Sequence, residues 1–142
     1  MKVVKSIGNY SSKKKSIITI GTFDGIHIGH QEIIKSLVKE SISKNALSLI
    51  LTFFPHPRMV LNKDFSIKLI DTLKEKEKMF EKLGLNTLII QPFTKNFANI
   101  SSHDFTKEIA NKNVRFYKNH KFARKMFNFT KMINLLIKNG KF

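Results

Sequence analysis

The sequence has 142 residues, enough for one domain, and its 42% hydrophobic content excludes a disordered chain. The absence of cysteine excludes disulfides, thiolate catalysis and zinc–thiolate sites, and no apolar run approaches the roughly 20 residues that cross a bilayer. The net charge is +16, from 26 Lys+Arg against 10 Asp+Glu, but the basic residues are mostly scattered lysines rather than one cluster. No nucleic-acid partner is therefore expected, although local basic clusters stand at residues 13–15 and 112–125. Residues 1–5 lack the pattern of a signal peptide, so the expected location is cytoplasmic and no membrane is involved.

Residues 1–15 read as a polar lead-in with a turn at Gly8-Asn9. Ile17 to Ile20 is short, apolar and rich in β-branched residues, the pattern of a strand buried on both faces of a parallel sheet. A glycine-rich stretch follows at residues 21–30, G-T-F-D-G-I-H-I-G-H. Ile33, Ile34, Leu37, Val38 and Ile42 then recur at helical spacing and predict a helix that ends near residues 43–45. Residues 46–54, ALSLILTFF, predict a second strand, stopped by Pro55-His56-Pro57. Residues 58–70 read as irregular. Thr72-Leu73-Lys74-Glu75 matches a capping box, with Leu73, Phe80 and Leu83 as the apolar stripe and Gly84 as the C′ residue. Leu85 to Gln91 predicts a third strand closed by Pro92, and Ser101 to Asp104 a further helix start with Phe105 and Ile109 inward. Val114 to Tyr117 is a candidate fourth strand and residues 129–138 a candidate last helix. The order β-α-β-α-β-α predicts an α/β fold, a parallel sheet flanked by helices.

An apolar strand, a glycine turn and a helix start together form an arrangement that holds phosphate. Backbone N–H groups and the positive end of the helix dipole converge there on an anion. Gly21 and Gly25 permit the tight turn, and Gly29 leaves the backbone open to a ligand. His27 and His30 are three apart, so within a helix they share a face and can reach one phosphate together. Asp24 is read equally as a turn cap or a ligand contact. A His27/His30/Asp24 metal site is disfavoured, because a structural zinc wants four ligands; no protein metal site is expected.

Residues 21–30 resemble the G-x-F-D-G-x-H-x-G-H signature of the nucleotidylyltransferase superfamily. Residues 52–61, T-F-F-P-H-P-R-M-V-L, resemble the T-F-x-P-H-P segment of bacterial FAD synthetases. Leu83-Gly84 through Gln91-Pro92-Phe93-Thr94, then Phe97-Ala98 and residues 101–105, are similar to the next segment of that family. The resemblance covers roughly residues 15–110 and is to the N-terminal FMN adenylyltransferase module of bifunctional riboflavin kinase/FAD synthetases. It implies a Rossmann-like nucleotidylyltransferase fold and the reaction ATP + FMN → FAD + pyrophosphate, with Mg²⁺ carried by ATP.

On this resemblance His27 and His30 are the catalytic candidates, stabilising charge on the phosphate oxygens while the FMN phosphate attacks directly. Gly21, Phe23, Asp24, Gly25 and Gly29 form the candidate nucleotide turn. His56, Pro57 and Arg58 form a candidate flavin or phosphate contact, Arg58 being suited to bidentate phosphate binding. Phe93, Phe97 and Phe105 are candidates for an isoalloxazine pocket, with core packing as the bland alternative. Residues 117–128 resemble a worn form of the family's G-x-D-x-x-F-G-x-x-R-x-G loop, with Asn119, Ala123 and Met126 at the Asp, Gly and Arg positions. The expected organisation is thus a nucleotidylyltransferase core over 1–110 and a degenerate or truncated remainder over 111–142, without a riboflavin kinase domain. Two alternatives follow: an inactive relic of the enzyme, or, on charge alone, a basic nucleic-acid-binding module. ATP and FMN are the expected partners; the oligomeric state is open.

Overall fold

The computed structural model describes residues 1–61 and 68–117. The candidate last helix at 129–138 and the worn loop at 118–128 lie outside these residues. Five parallel strands form one sheet, in the order β1-β4-β3-β2-β5. They are β1 (Lys2–Val4), β2 (Ser16–Ile20), β3 (Leu47–Phe54), β4 (Thr87–Pro92) and β5 (Val114–Phe116). The helices between them are α1 (Ile28–Ser43), α2 (Pro57–Leu61), α3 (Leu73–Lys82), α4 (Lys95–Ala98) and α5 (Ser102–Ala110).

The alternation of the strands decides the two cores. Ile17, Ile50 and Leu88 face α1 and α3, where they meet Ile34, Leu37 and Phe80. Ile18, Ile20, Leu49, Leu51, Phe53 and Ile89 face the other way, towards Phe93, Ala98 and Ile109. Burial on both faces is what an all-parallel sheet demands, and it explains the continuous apolar runs.

Most predicted elements stand where the sequence puts them. The Thr72/Glu75 capping box is formed, Gly84 follows α3 at φ 82, and α1 ends at Ser43. Three readings are corrected. Residues 1–15 are not merely a polar lead-in: Lys2–Val4 pairs with β4, and Val4, Ile7 and Tyr10 are buried. A side-chain bond from Tyr10 to Ser16 (2.7 Å) and one from the Ile7 amide to Gln91 (3.0 Å) fasten this segment across the strands. Residues 58–61 are helical rather than irregular, because Pro57 takes the first position of α2, where its missing N–H costs nothing. Ile42 is 73% exposed, and the inward place at that turn belongs to Ser41, whose hydroxyl is satisfied by the Val38 carbonyl at 2.7 Å.

The order of the strands also locates a crevice. The chain steps from β2 to β3 to β4 in one direction, then returns to lay β5 on the opposite side of β2. The sheet therefore includes residues beyond 110, and its topological switch point falls between β2 and β5. In open α/β sheets ligands bind at the carboxyl ends of the strands at such a point. The carboxyl end of β2 runs directly into the glycine turn.

Candidate functional site

The turn leaves β2 still in register with the sheet, the Gly21 amide donating to the Leu51 carbonyl at 3.0 Å. Phe23 then adopts φ 46 and Gly25 φ 64, so the backbone doubles back within five residues. The Phe23 ring is buried, edge-on to Phe80 (centroids 5.7 Å apart) and to His30 (5.3 Å). This ring gives Gly21 its reason: a Cβ there would lie 3.0 Å from Phe23 Cε2. Phe23 is thus packing beneath the turn.

His27 is the N-cap of α1, with φ −70 and ψ 173, and its side chain makes no capping bond. A helix start whose N-cap side chain makes no capping bond is a favourable place for an anion. The imidazoles of His27 and His30 stack, centroids 3.9 Å apart and planes 24° from parallel. Gly29 is the space into which the His27 ring folds, since a Cβ there would stand 3.2 Å from His27 Cε1. His30 Nδ1 lies 3.0 Å from the Gly25 carbonyl oxygen, which can only accept, so Nδ1 carries a proton. His30 can then donate to a phosphate through Nε2 only as an imidazolium.

Side chains from other elements hold the turn from behind. The Ile26 amide donates to Asp71 at 3.0 Å, and the Ile70 amide donates to Asp24 at 3.0 Å, a reciprocal tie between the turn and the segment before α3. Thr52 Oγ1 from β3 and Lys76 Nζ from α3 both donate to the Thr22 carbonyl, at 3.1 and 3.2 Å. Lys76 also stands 3.7 Å from Asp24 Oδ1. Asp71, Thr52 and Lys76 escape a reading of the sequence alone. Lys76 did leave a signal: it sits among Leu73, Phe80 and Leu83 at helical spacing, a cation in an apolar stripe.

His56, Pro57 and Arg58 follow the neighbouring strand β3. Pro57 is buried, Arg58 exposed and His56 half-buried, with the Arg58 amide donating to His56 Nδ1 at 3.2 Å. Burial lowers the pKa of His56 below its ordinary value; the Asp24 carboxylate opposes this, while Arg58 and Lys76 reinforce it. Of these charges, Asp24 belongs to the glycine turn that follows β2, the strand paired with β3. Phe93 and Phe97 are elsewhere: they lie in the opposite core, in an edge-to-face chain from Phe53 through Phe93 and Phe97 to Phe105. Phe93 is 1% exposed, so it presents no open face to a flavin ring.

Among the described residues no three His, Asp or Glu side chains gather as a metal cage. No helix there is long and apolar enough to cross a membrane.

The model of the FAD synthetase family matches residues 9–133. The chain belongs to the FAD synthetase family. It is 31% identical, over 77% of its length, to the bifunctional riboflavin kinase/FMN adenylyltransferase of Buchnera aphidicola subsp. Schizaphis graminum, and covers 35% of that protein. It is 37% identical over 64% of its length to the protein of the same name from Bacillus subtilis, of which it covers 29%. The chain therefore spans about a third of the length of the curated relatives it matches. The structure is similar to that of a Streptococcus pneumoniae protein titled a macrolide-efflux protein, with a TM-score of 0.69 and 24% identity, covering 79% of this chain and 38% of the other. That likeness bears on the fold alone. The family match begins within the N-terminal lead-in and reaches past β5, so it takes in four of the five strands and the whole glycine turn.

Proposed function

We propose that this chain is an FMN adenylyltransferase, which transfers AMP from ATP to FMN and releases pyrophosphate. The observation that carries the reading is the stacked His27/His30 pair over an uncapped helix start at the switch point of the sheet. Oxygen of the FMN phosphate attacks the α-phosphorus of ATP, and the bond from that phosphorus to the bridging oxygen breaks as pyrophosphate leaves. No enzyme nucleophile is required. What the protein must supply is in-line alignment and positive charge beside the phosphate oxygens.

In this reading the first-turn amides of α1 and the imidazole pair receive the ATP phosphates. His56 and Arg58, at the end of the adjacent strand, meet the phosphate of FMN. Mg²⁺ enters with ATP as part of the substrate, bound chiefly by phosphate and water.

The test is formation of FAD from FMN, ATP and Mg²⁺ by the purified chain, read by chromatography. Product that disappears in the His27→Ala/His30→Ala variant supports the assignment; equal activity in that variant removes the histidines from it. The substitutions at Asn119, Ala123 and Met126 favour a second reading, an inactive relic. A folded chain that neither forms FAD nor binds ATP in a calorimetric titration would establish the relic.

A further inference from the structure

Lys76 sits on α3 with its side chain only 6% exposed. An ammonium group removed from water is costly unless it is paired and hydrogen-bonded. Both of its partners among the described residues belong to the glycine turn: the Thr22 carbonyl oxygen at 3.2 Å and Asp24 Oδ1 at 3.7 Å. From the other side of the same oxygen, Thr52 Oγ1 donates at 3.1 Å. Two donors from two elements thus fix one carbonyl, pointing it back into the fold.

The consequence lies in peptide geometry. Across a trans peptide the C=O and the following N–H point in opposite directions. Holding the Thr22 carbonyl inward turns the Phe23 N–H away from β3 and α3. The following positive φ values at Phe23 and Gly25 curve the chain in the manner of backbone nests that cup anions. Asp24 is the exception in such a cup, because a carboxylate repels phosphate. Here it is held on the Ile70 amide with the Lys76 ammonium beside it.

We propose that Lys76 is a positioning residue for the nucleotide: it orients the peptide after Thr22 towards the phosphates and neutralises Asp24, which would otherwise repel them. The proposal rests on ATP being the ligand of this turn. It assigns Lys76 no contact with the reacting atoms.

The experiment is a calorimetric titration of the full chain with ATP and Mg²⁺, run on wild type and on the Lys76→Met, Lys76→Arg and Asp24→Asn/Lys76→Met variants. Circular dichroism confirms the fold of each, and FAD formation is measured on the same samples. Lys76→Met should weaken ATP binding at least about tenfold, as expected for loss of a charge-assisted hydrogen bond. Lys76→Arg should restore part of it. The double variant leaves no unpaired charge, so it should both fold and bind ATP more tightly than Lys76→Met alone, a rescue that a purely structural role would not give. Lys76→Met binding ATP as wild type does would overturn the proposal, as would a double variant no better than the single one. A wild-type chain that binds ATP with this dependence on Lys76 but forms no FAD would overturn the activity alone; one that binds no ATP would overturn both.

Discussion

The two sides of the sheet use their resources differently. On the side of α4 and α5 the chain places four phenylalanines in contact, Phe53, Phe93, Phe97 and Phe105, and fills space with them. On the side of α1 and α3 it commits two aromatics, Phe23 and Phe80, to supporting a turn, and adds a knot of Asp24, Asp71 and Lys76 around that turn. Apolar packing is tolerant of small displacement and non-directional. Hydrogen-bonded charge is directional, and it is concentrated where backbone amides must face a ligand. The difference teaches that aromatic content near a site is a weaker guide to ligand contact than polar groups aimed at backbone.

That contrast can be broken experimentally. The largest expected effect is on stability: Phe93→Ala should cost about 3–5 kcal/mol in urea unfolding, the usual range for deleting a buried phenylalanine. Phe93→Leu, which keeps most of the volume, should leave FMN affinity unchanged in a fluorescence titration. A selective loss of FMN affinity there would return Phe93 to the flavin site. Next comes the histidine pair. His30→Ala should lower the rate of FAD formation about 10²- to 10³-fold, the scale for removing one transition-state donor, with circular dichroism unchanged.

A smaller effect is expected at Gly25. Its φ is 64, and a methyl group added there would stand 3.0 Å from Ile70 Cδ1, which leaves little freedom for a side chain. Gly25→Ala should cost about 1–2 kcal/mol of stability and weaken ATP binding, whereas Gly8→Ala, with its nearest neighbour at 3.7 Å, should do neither. The smallest effect concerns pH. Because burial lowers the His56 pKa, the unfolded chain takes up its proton first as pH falls. This contribution therefore destabilises the fold progressively as pH drops from about 6.5 through the lower folded value. His56→Gln should flatten the acid side of a melting-temperature profile below about pH 6.5; an unaltered slope would show that His56 does not carry it.

Much of the fold was legible because buried parallel strands announce themselves as unbroken apolar runs. Ile17 to Ile20 and residues 46–54 are such runs. β1 was not legible: three residues with a single buried one, Val4, carry no period. Pro57 was misleading for a physical reason, since proline ends a strand and begins a helix with equal ease. At the site, the glycines and histidines of the turn were visible in the sequence, and the structure gathers them. What holds them was far less visible. Asp71 is an ordinary polar residue locally and Lys76 only a cation out of place in an apolar stripe, and only the packing of α3 against the turn gives them partners 45 and 54 positions away.

The strand order has a consequence for the chain as it is made. β2 emerges from the ribosome almost a hundred residues before its outer neighbour β5, and β1 must wait for β4. Neither β1 nor β2 can pair with the other on emergence, because β4 and β3 stand between them. The strand feeding the glycine turn therefore keeps an open hydrogen-bonding edge until residues 114–116 are synthesised, and its closure is a long-range, slow contact. Protease protection of the turn in arrested nascent chains should accordingly rise only after β5 has cleared the exit tunnel.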